Sequence, residues 1–270
     1  MVTGATGFIG TELIKKLNGK GHEIVVLTRN SESARFRIPV HCEIITWDPK
    51  SATLPPSNLK GVDAVINLAG EGIADGRWSP ERKRKITQSR VLSTRRLIDA
   101  MTYMDKKPQV FVSASAIGFY GNQRDEFLDE RSLKGHGFLS DVCQHWEDEI
   151  LKAKDLGIRT AVCRIGMVLG HDGGALDKIL PPFKLGAGGK LGSGSQWMSW
   201  IHINDLADMM IYAIENPSIA GIYNAVSPNP VLNKEFTKVL GQVLKRPTLF
   251  PVPNFVLKTV LGELSDLLLG

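Results

Sequence analysis

Nowhere in the 270 residues is there an unbroken apolar run of the ~18 residues that a bilayer-spanning helix needs, which excludes a helical membrane span. Cysteine is scarce: Cys42, Cys143 and Cys163 are odd in number and none lies at metal-ligand spacing. A disulfide framework and a zinc site are therefore not expected, and the three read as free thiols filling core or near-core space. The N-terminus opens directly on a glycine loop with no signal-peptide pattern, so a soluble protein of a reducing compartment, the cytoplasm, is expected. Internal repeats and low-complexity linkers are also missing. The net charge of +5 is concentrated in Arg77, Arg82, Lys83, Arg84, Lys85, Arg90, Arg95 and Arg96, with little acid beyond Glu81. That segment reads as a helix with a basic face, solvated or reaching an anionic ligand. It has no interleaved aromatic platforms for bases, so nucleic acid is not the expected partner.

What is present is an ordinary globular composition, 43% hydrophobic and 23% charged, in a chain long enough for a sizeable core. Short β-branched runs at 23–28, 43–47, 64–68, 110–115 and 160–165 alternate with helical patterns at about 11–18, 80–104 and 139–156. This alternation predicts an α/β fold, a Rossmann-type doubly wound parallel sheet over residues 1–170. Residues 171–270 begin with a glycine-rich passage, continue through a strand near 200–203, a helix at about 205–216 and a strand at 222–225, and end in helices after Asn233 and Asn254. They predict a smaller C-terminal α/β lobe for substrate or partner. Only Met1, Val2 and Thr3 precede the glycine loop, and Gly270 follows an apolar helix directly, so both ends are expected to be cut short and the first strand to be shorter than its neighbours.

The loop Thr3-Gly4-Ala5-Thr6-Gly7-Phe8-Ile9-Gly10 stands where a strand turns into a helix. Gly4 permits the tight turn, Gly7 lets backbone approach a pyrophosphate, and Gly10 lets helix and strand pack closely. The helix start then supplies amides and partial positive charge to phosphates. At the end of the second strand, after Thr28, stands Arg29, where a carboxylate would select NAD; a cation there suits a 2′-phosphate, so NADP is the expected cofactor. Arg35 and Arg37 either reinforce it or are solvated loop residues. Asn67-Leu68-Ala69-Gly70 ends the fourth strand with small residues at the sheet edge that a dinucleotide crosses, and Arg90 is either a further cofactor contact or a surface arginine.

These residues resemble the extended short-chain dehydrogenase/reductase superfamily, along the whole chain: Thr-Gly-x-x-Gly-x-x-Gly at the start, Asn-Leu-Ala-Gly at 67–70, Ser-Ala-Ser-Ala-Ile-Gly-Phe-Tyr-Gly at 113–121 and Arg-Ile-Gly-Met-Val-Leu-Gly at 164–170. Gly70-Glu71, Arg77-Trp78-Ser79, Ser89-Arg90, Val142-Cys143 with Trp146-Glu147, and Trp-Ile-His-Ile-Asn-Asp-Leu-Ala at 200–207 narrow the resemblance to its epimerase-family protein group. That group includes human member 39U and the chloroplast and cyanobacterial homologues called SulA-like division inhibitors. The resemblance implies bound NADP(H) at positions matching Thr28, Arg29, Leu68, Ala69, Arg90 and Val168, and a location in the chloroplast stroma if the chain comes from a plant precursor. It also implies a Tyr-x-x-x-Lys pair on the helix after the fifth strand. The register places Ser140 and Gln144 there, while Ser115 matches the hydroxyl that holds a substrate oxygen. Serine ionises far above a phenol and has no ammonium beside it to help, so tyrosine-driven chemistry is not expected. Glu71, Tyr120, Asp141 and His145 are candidates for a replacement acid or base, Glu71 the first to test; the alternative is that Tyr120 packs under the loop and Asp141 and His145 face solvent.

Phe183, Lys184, Gln196, Trp197, Met198 and Trp200 form either a pocket for a small organic ligand or a packed plug between lobes. His202 reads as structural, and Asp205 as the cap of the next helix. Two functions remain: an atypical NADP-dependent oxidoreductase or epimerase-like enzyme acting on an unidentified small molecule, and a non-catalytic NADP(H)-binding regulator with a partner in the division machinery. The sequence leaves a homo-oligomer open.

Overall fold

The computed structural model describes residues 1–269. Seven strands, β1 (Val2–Thr3), β2 (Val25–Thr28), β3 (Glu43–Thr46), β4 (Ala64–Asn67), β5 (Val110–Ala116), β6 (Arg159–Ile165) and, later in the chain, Gly221–Ala225, build the central sheet. Between the last two come β7 (Met167–Leu169), β8 (Trp197–Met198) and β9 (Trp200–His202), which makes the seventh β10; β11 (Val231–Leu232) follows. The order is β3-β2-β1-β4-β5-β6-β10, and every pairing is parallel. The strand order reverses between β1 and β4, which opens a crevice at their carboxyl ends. As expected, β1 is shorter than its neighbours, two residues against four in β2 and β4.

Parallel strands need both faces covered, and the apolar stripes of the helices provide this. Among α1 (Phe8–Gly19), α2 (Ser31–Arg37), α3 (Pro80–Thr102), α4 (Phe138–Leu151), α5 (Gly174–Lys184), α6 (Ile203–Glu215), α7 (Asn233–Leu244), α8 (Asn254–Leu261) and α9 (Leu264–Leu269), α1 packs on α6 and α3 packs on α4. Leu13 and Ile14 of α1, Leu97 and Met101 of α3, Ile150 of α4 and Leu206 and Met210 of α6 share one core with Val26, Ile66, Phe111 and Val162 of the strands. α3 begins where Ser79 accepts a hydrogen bond from the Arg82 amide at 3.1 Å and Pro80 presets the first turn.

Several local expectations change. Arg35 and Arg37 lie on α2, capped by Asn30, whose side chain accepts from the Ser33 amide at 2.8 Å. Asp205 does not cap α6: the chain leaves β9 straight into the helix, so the cap is His202, whose Nδ1 accepts from the Asn204 amide at 3.2 Å, and Asp205 falls in the first turn. The glycine-rich passage contains α5, with Pro181 and Pro182 inside it. The segment after residue 170 also returns β10 to the main sheet as its edge strand. Cys143 and Cys163 are buried and Cys42 half-buried, all as free thiols. No helix among the described residues is long and apolar enough to cross a membrane.

Candidate cofactor and ligand site

The phosphate loop is set by contacts that exclude side chains. Gly4 has φ 69°, and a Cβ there would lie 2.7 Å from the Leu68 carbonyl carbon and oxygen. At Gly10 a Cβ would meet the Gly4 carbonyl oxygen at 2.2 Å and the Ala5 Cα at 2.6 Å, so helix start and loop touch backbone to backbone. Gly7 is exposed; a Cβ there would meet only the Gly4 oxygen, at 3.2 Å. Gly7 is the N-cap of α1 and offers no side-chain cap. The Gly7 amide donates to Gly4 and that of Thr11 to Gly7, while the intervening amides of Phe8, Ile9 and Gly10 have no acceptor among the described residues. An uncapped helix start of three such amides fits an anionic phosphate. Thr6 lies in the same loop, half-buried.

A buried network ties this loop to the neighbouring strand ends. Thr3 Oγ1 donates to Asn67 Oδ1 at 2.8 Å and accepts from the Leu68 and Ala69 amides, both at 3.2 Å. Asn67 Nδ2 donates to Thr94 at 2.9 Å and to Ser113 at 3.2 Å, and the Trp146 indole donates to Thr94 at 3.0 Å. Leu68, Ala69 and Gly70 therefore leave β4 along a fixed path beside the phosphate loop. On the other side of β1, Thr28 ends β2 and Arg29 follows, exposed and without an ion pair among the described residues. Arg90 lies beneath the Gly70 turn: its guanidinium stacks 5.3 Å from the Trp146 ring centroid, and its Nη1 donates to the Glu71 carbonyl at 3.0 Å. A Cβ on Gly70 would come within 3.1 Å of that guanidinium. Val168 lies in the middle of β7, paired with Ile201.

Glu71 and Ser115, both expected near the chemistry, are held by different partners. The Glu71 carboxylate pairs with Arg82 at 2.8 Å and is not joined to Ser115 by any hydrogen bond. The loop from Glu71 to Ser79 is further clasped by Lys178 of α5, which donates to Ala74 and Asp75, both at 2.8 Å, and by Arg77, which donates to the Thr259 and Val260 carbonyls of α8. Ser115 is buried and donates at 2.6 Å to Glu147 of α4. Ser140 is buried too, its hydroxyl donating to the Phe119 carbonyl at 2.6 Å, and Gln144 donates to Asp148 at 2.7 Å. Asp141 and His145 face solvent, and Tyr120 is packed away.

Glu147 and Arg164 were not singled out above for any role, although each is a charge at a core position of its element. Arg164 donates through Nε and Nη2 to the two Glu147 oxygens at 2.9 and 2.8 Å, and both side chains are about 3% exposed. Its Nη1 donates to the Tyr120 hydroxyl at 2.9 Å, which donates to Asn224 of β10 at 2.7 Å. Burial works against the Arg164 charge, but the bonds to Glu147 and Tyr120 outweigh it and hold the guanidinium above its ordinary value.

The aromatic cluster expected to line a pocket is largely committed within the chain. Phe183 is buried against Gly188, the Trp197 indole donates to Asp125 at 2.8 Å, and the Trp200 indole donates to Asn229 at 3.2 Å. A cavity of about 370 Å³ opens instead beside β7 and α5, lined by Leu169, Asp172, Asp177, Lys184 and His202 among others, and Lys184 alone of the expected pocket residues reaches it. Between it and the phosphate loop, Gly170, Gly173 and Gly174 close around Phe8: a Cβ on any of them would come within 2.4 to 2.9 Å of the ring.

Known proteins resemble this chain over most of its length. The model of the NAD dependent epimerase/dehydratase family matches residues 1–225. The chain is 44% identical over 272 residues to the chloroplastic epimerase family protein SDR39U1 homolog of Arabidopsis thaliana, covering 97% of this chain and 75% of that protein. It is 38% identical to the epimerase family protein YfhF of Bacillus subtilis, over 99% of this chain and 86% of that one. The crystal structure of human epimerase family protein SDR39U1 with NADPH superposes with a TM-score of 0.86 at 34% identity, over 99% of this chain and 87% of that one. The chain thus belongs to the NAD dependent epimerase/dehydratase family.

Proposed function

We propose that this protein binds NADP(H) across the carboxyl ends of β1, β2 and β4 and acts as an atypical, epimerase-like NADP-dependent oxidoreductase on a small molecule. The observation that carries this reading is the uncapped start of α1, with three amides lacking acceptors, beside an unpaired arginine at the end of β2. Gly4, Thr6, Gly7, Phe8, Ile9 and Gly10 form the phosphate cradle. Thr28 and Arg29 take the 2′-phosphate, which a guanidinium binds bidentately and a carboxylate would repel. Leu68, Ala69 and Gly70 line the adjoining edge, Arg90 supports it from below, and Val168 completes the contact set. The human relative crystallised with NADPH supports the choice of the phosphorylated nucleotide. When bound, the cofactor supplies hydride transfer. Ser115 is the residue proposed to meet a ligand oxygen and Glu71 the proposed acid or base; the Ser115 hydroxyl donates to Glu147 and the Glu71 carboxylate pairs with Arg82. The proposed division at residue 170 sets a cofactor-binding part against a later substrate or partner lobe, with α6 and β10 of the later residues joining the core and sheet of the first part, in an aqueous, reducing compartment: the cytoplasm, or the chloroplast stroma for a plant precursor.

Titration of the purified protein should show NADPH binding more tightly than NADH, with Arg29→Glu reversing the order. Equal affinities in the parent protein would remove the phosphate argument.

A second reading, an NADP(H)-binding regulator of cell or plastid division that turns nothing over, is favoured by one observation. The hydroxyl of Ser140 and the amide of Gln144 are both engaged with other groups, and neither is an acid or base. Protein loaded with NADPH and offered aldehydes, ketones and nucleotide sugars should oxidise its cofactor if it is an enzyme; silence across the panel favours the regulator.

A further inference from the structure

The cavity of about 370 Å³ beside β7 and α5 takes no part in the proposed cofactor contacts, and its walls are patterned. Leu169 ends β7, and Leu176 and Leu180 stand one turn apart on α5, which gives the cavity an apolar floor. Charge is confined to its rim. His171 and Asp172 pair with each other at 2.6 Å, so that acid is already met. Asp177 and Lys184 flank Leu180 at spacings of three and four, on one face of α5, and neither side chain has an ion pair or a hydrogen bond among the described residues. Two turns, about 10 Å along the axis, keep them from neutralising each other. Pro181 adds an acceptor at the acidic end, because it has no amide and the Asp177 carbonyl loses its partner four residues on. His202 accepts the Asn204 amide at Nδ1, so the neutral ring carries its proton on Nε2, a further donor on the cavity wall.

We propose that this cavity is a second ligand site, separate from the nucleotide cradle, for a small zwitterion with an ammonium at one end, a carboxylate at the other and an apolar stretch between, the chemistry of an ω-amino acid or of a dipeptide with apolar side chains. The ammonium meets the Asp177 carboxylate and carbonyl, the carboxylate meets Lys184, and the apolar stretch lies over Leu176 and Leu180. The volume is at the small end of ligand pockets, which suits a molecule of this size. Rim charges of both signs disfavour the alternatives: a polyanion such as a nucleotide would face Asp177, and a polycation would face Lys184. Gly170, Gly173 and Gly174, closed around Phe8, stand between this cavity and the phosphate loop, so its occupant is not the cofactor.

The test uses the full chain and three probes of one skeleton, 6-aminohexanoate, hexanoate and hexylamine, titrated by ligand-observed NMR. In the parent protein 6-aminohexanoate should bind about fivefold more tightly than either singly charged probe, the measure of a pairing open to water. Asp177→Asn should bring 6-aminohexanoate down to the level of hexanoate, and Lys184→Met should bring it down to that of hexylamine. Both positions are exposed, so neither substitution disturbs the core, and a cooperative thermal transition verifies the fold of each variant. Should one variant lack that transition, the other variant and the probe series decide. Absence of saturable 6-aminohexanoate binding overturns the inference. Equal binding of the three probes, or a preference that persists in full in either variant, overturns it too. Complete displacement of 6-aminohexanoate by NADPH also overturns it, because the cavity would then belong to the nucleotide's own site. None of these outcomes bears on whether NADPH is preferred to NADH, so the cofactor reading stands or falls separately.

Discussion

Replacing Arg164 by methionine removes the charge and keeps an unbranched side chain of similar reach. It takes away both nitrogens that hold Glu147 and the one that holds Tyr120, leaving a carboxylate about 3% exposed with Ser115 as its one remaining hydrogen-bond donor. Breaking a buried ion pair from one side costs about 3–5 kcal/mol, because the orphaned charge has neither water nor counter-ion. Against a total stability of about 5–15 kcal/mol this is a large fraction. At about 2–4 °C per kcal/mol for a chain of this size class, the Tm of Arg164→Met should fall by about 6–20 °C. Glu147→Leu should fall comparably, since the guanidinium is then the orphan. The double variant should recover most of the loss, because a buried pair exchanged for apolar side chains of like volume is often close to neutral. Thermal and urea unfolding of the four proteins forms a double-mutant cycle whose coupling term should be at least 2 kcal/mol, an order-of-magnitude threshold well above that of exposed pairs. Additive losses, or single variants within about 1 kcal/mol of the parent, would refute the claim that the two side chains act as one dry unit.

Two further outcomes follow from local geometry. Gly10→Ala brings a methyl within 2.2 Å of the Gly4 carbonyl oxygen, a backbone atom that cannot step aside; it should cost about 1–3 kcal/mol in unfolding experiments and weaken NADPH binding by at least about tenfold. Burial pushes the Glu149 carboxyl up, but the bonds from Arg95 and Lys152 more than offset this, so it lies below its ordinary value of 4.5. A carboxyl depressed on folding adds stability that is present above 4.5 and is lost as pH falls through the lower folded value. Acid titration of Arg95→Ala should therefore show a shallower loss of stability below pH 4.5 than the parent, and identical slopes would contradict the assignment.

The sheet could be read from the sequence because its signals are local. The strand at 110–115 is observed as Val110–Ala116 and that at 160–165 as Arg159–Ile165, each a short apolar run that follows a helix with a clear period. α1 starts at Phe8, three residues before the expected 11, because its first turn carries no capping side chain to mark it. α5 was hidden by its own composition: Pro181 and Pro182 stand inside it and glycines flank it, all of them loop signals. The Gly4–Gly10 turn was visible as a spacing of glycines, and at Gly4 and Gly10 the structure adds the backbone contacts that demand them. The Ser115–Glu147–Arg164–Tyr120 chain was not visible, because its members come from β5, α4, β6 and the turn after β5, up to 49 positions apart between Ser115 and Arg164. The available signal was a charged residue on the buried stripe of α4, four residues after Cys143, and another inside the apolar strand Ala-Val-Cys-Arg-Ile. A buried charge in two separate elements is itself a hint that the two meet.

The collar around Phe8 couples distant stretches of the chain. The ring sits on the first residue of α1, and the three glycines that grip it run from the end of β7 to the first residue of α5. A bulkier residue at 170, 173 or 174 would shove the aromatic wedge and the opening turn of α1 with it. The chain's beginning and its route into the later residues therefore behave as a single gearing, in which any tilt of α5 is felt at the nucleotide cradle.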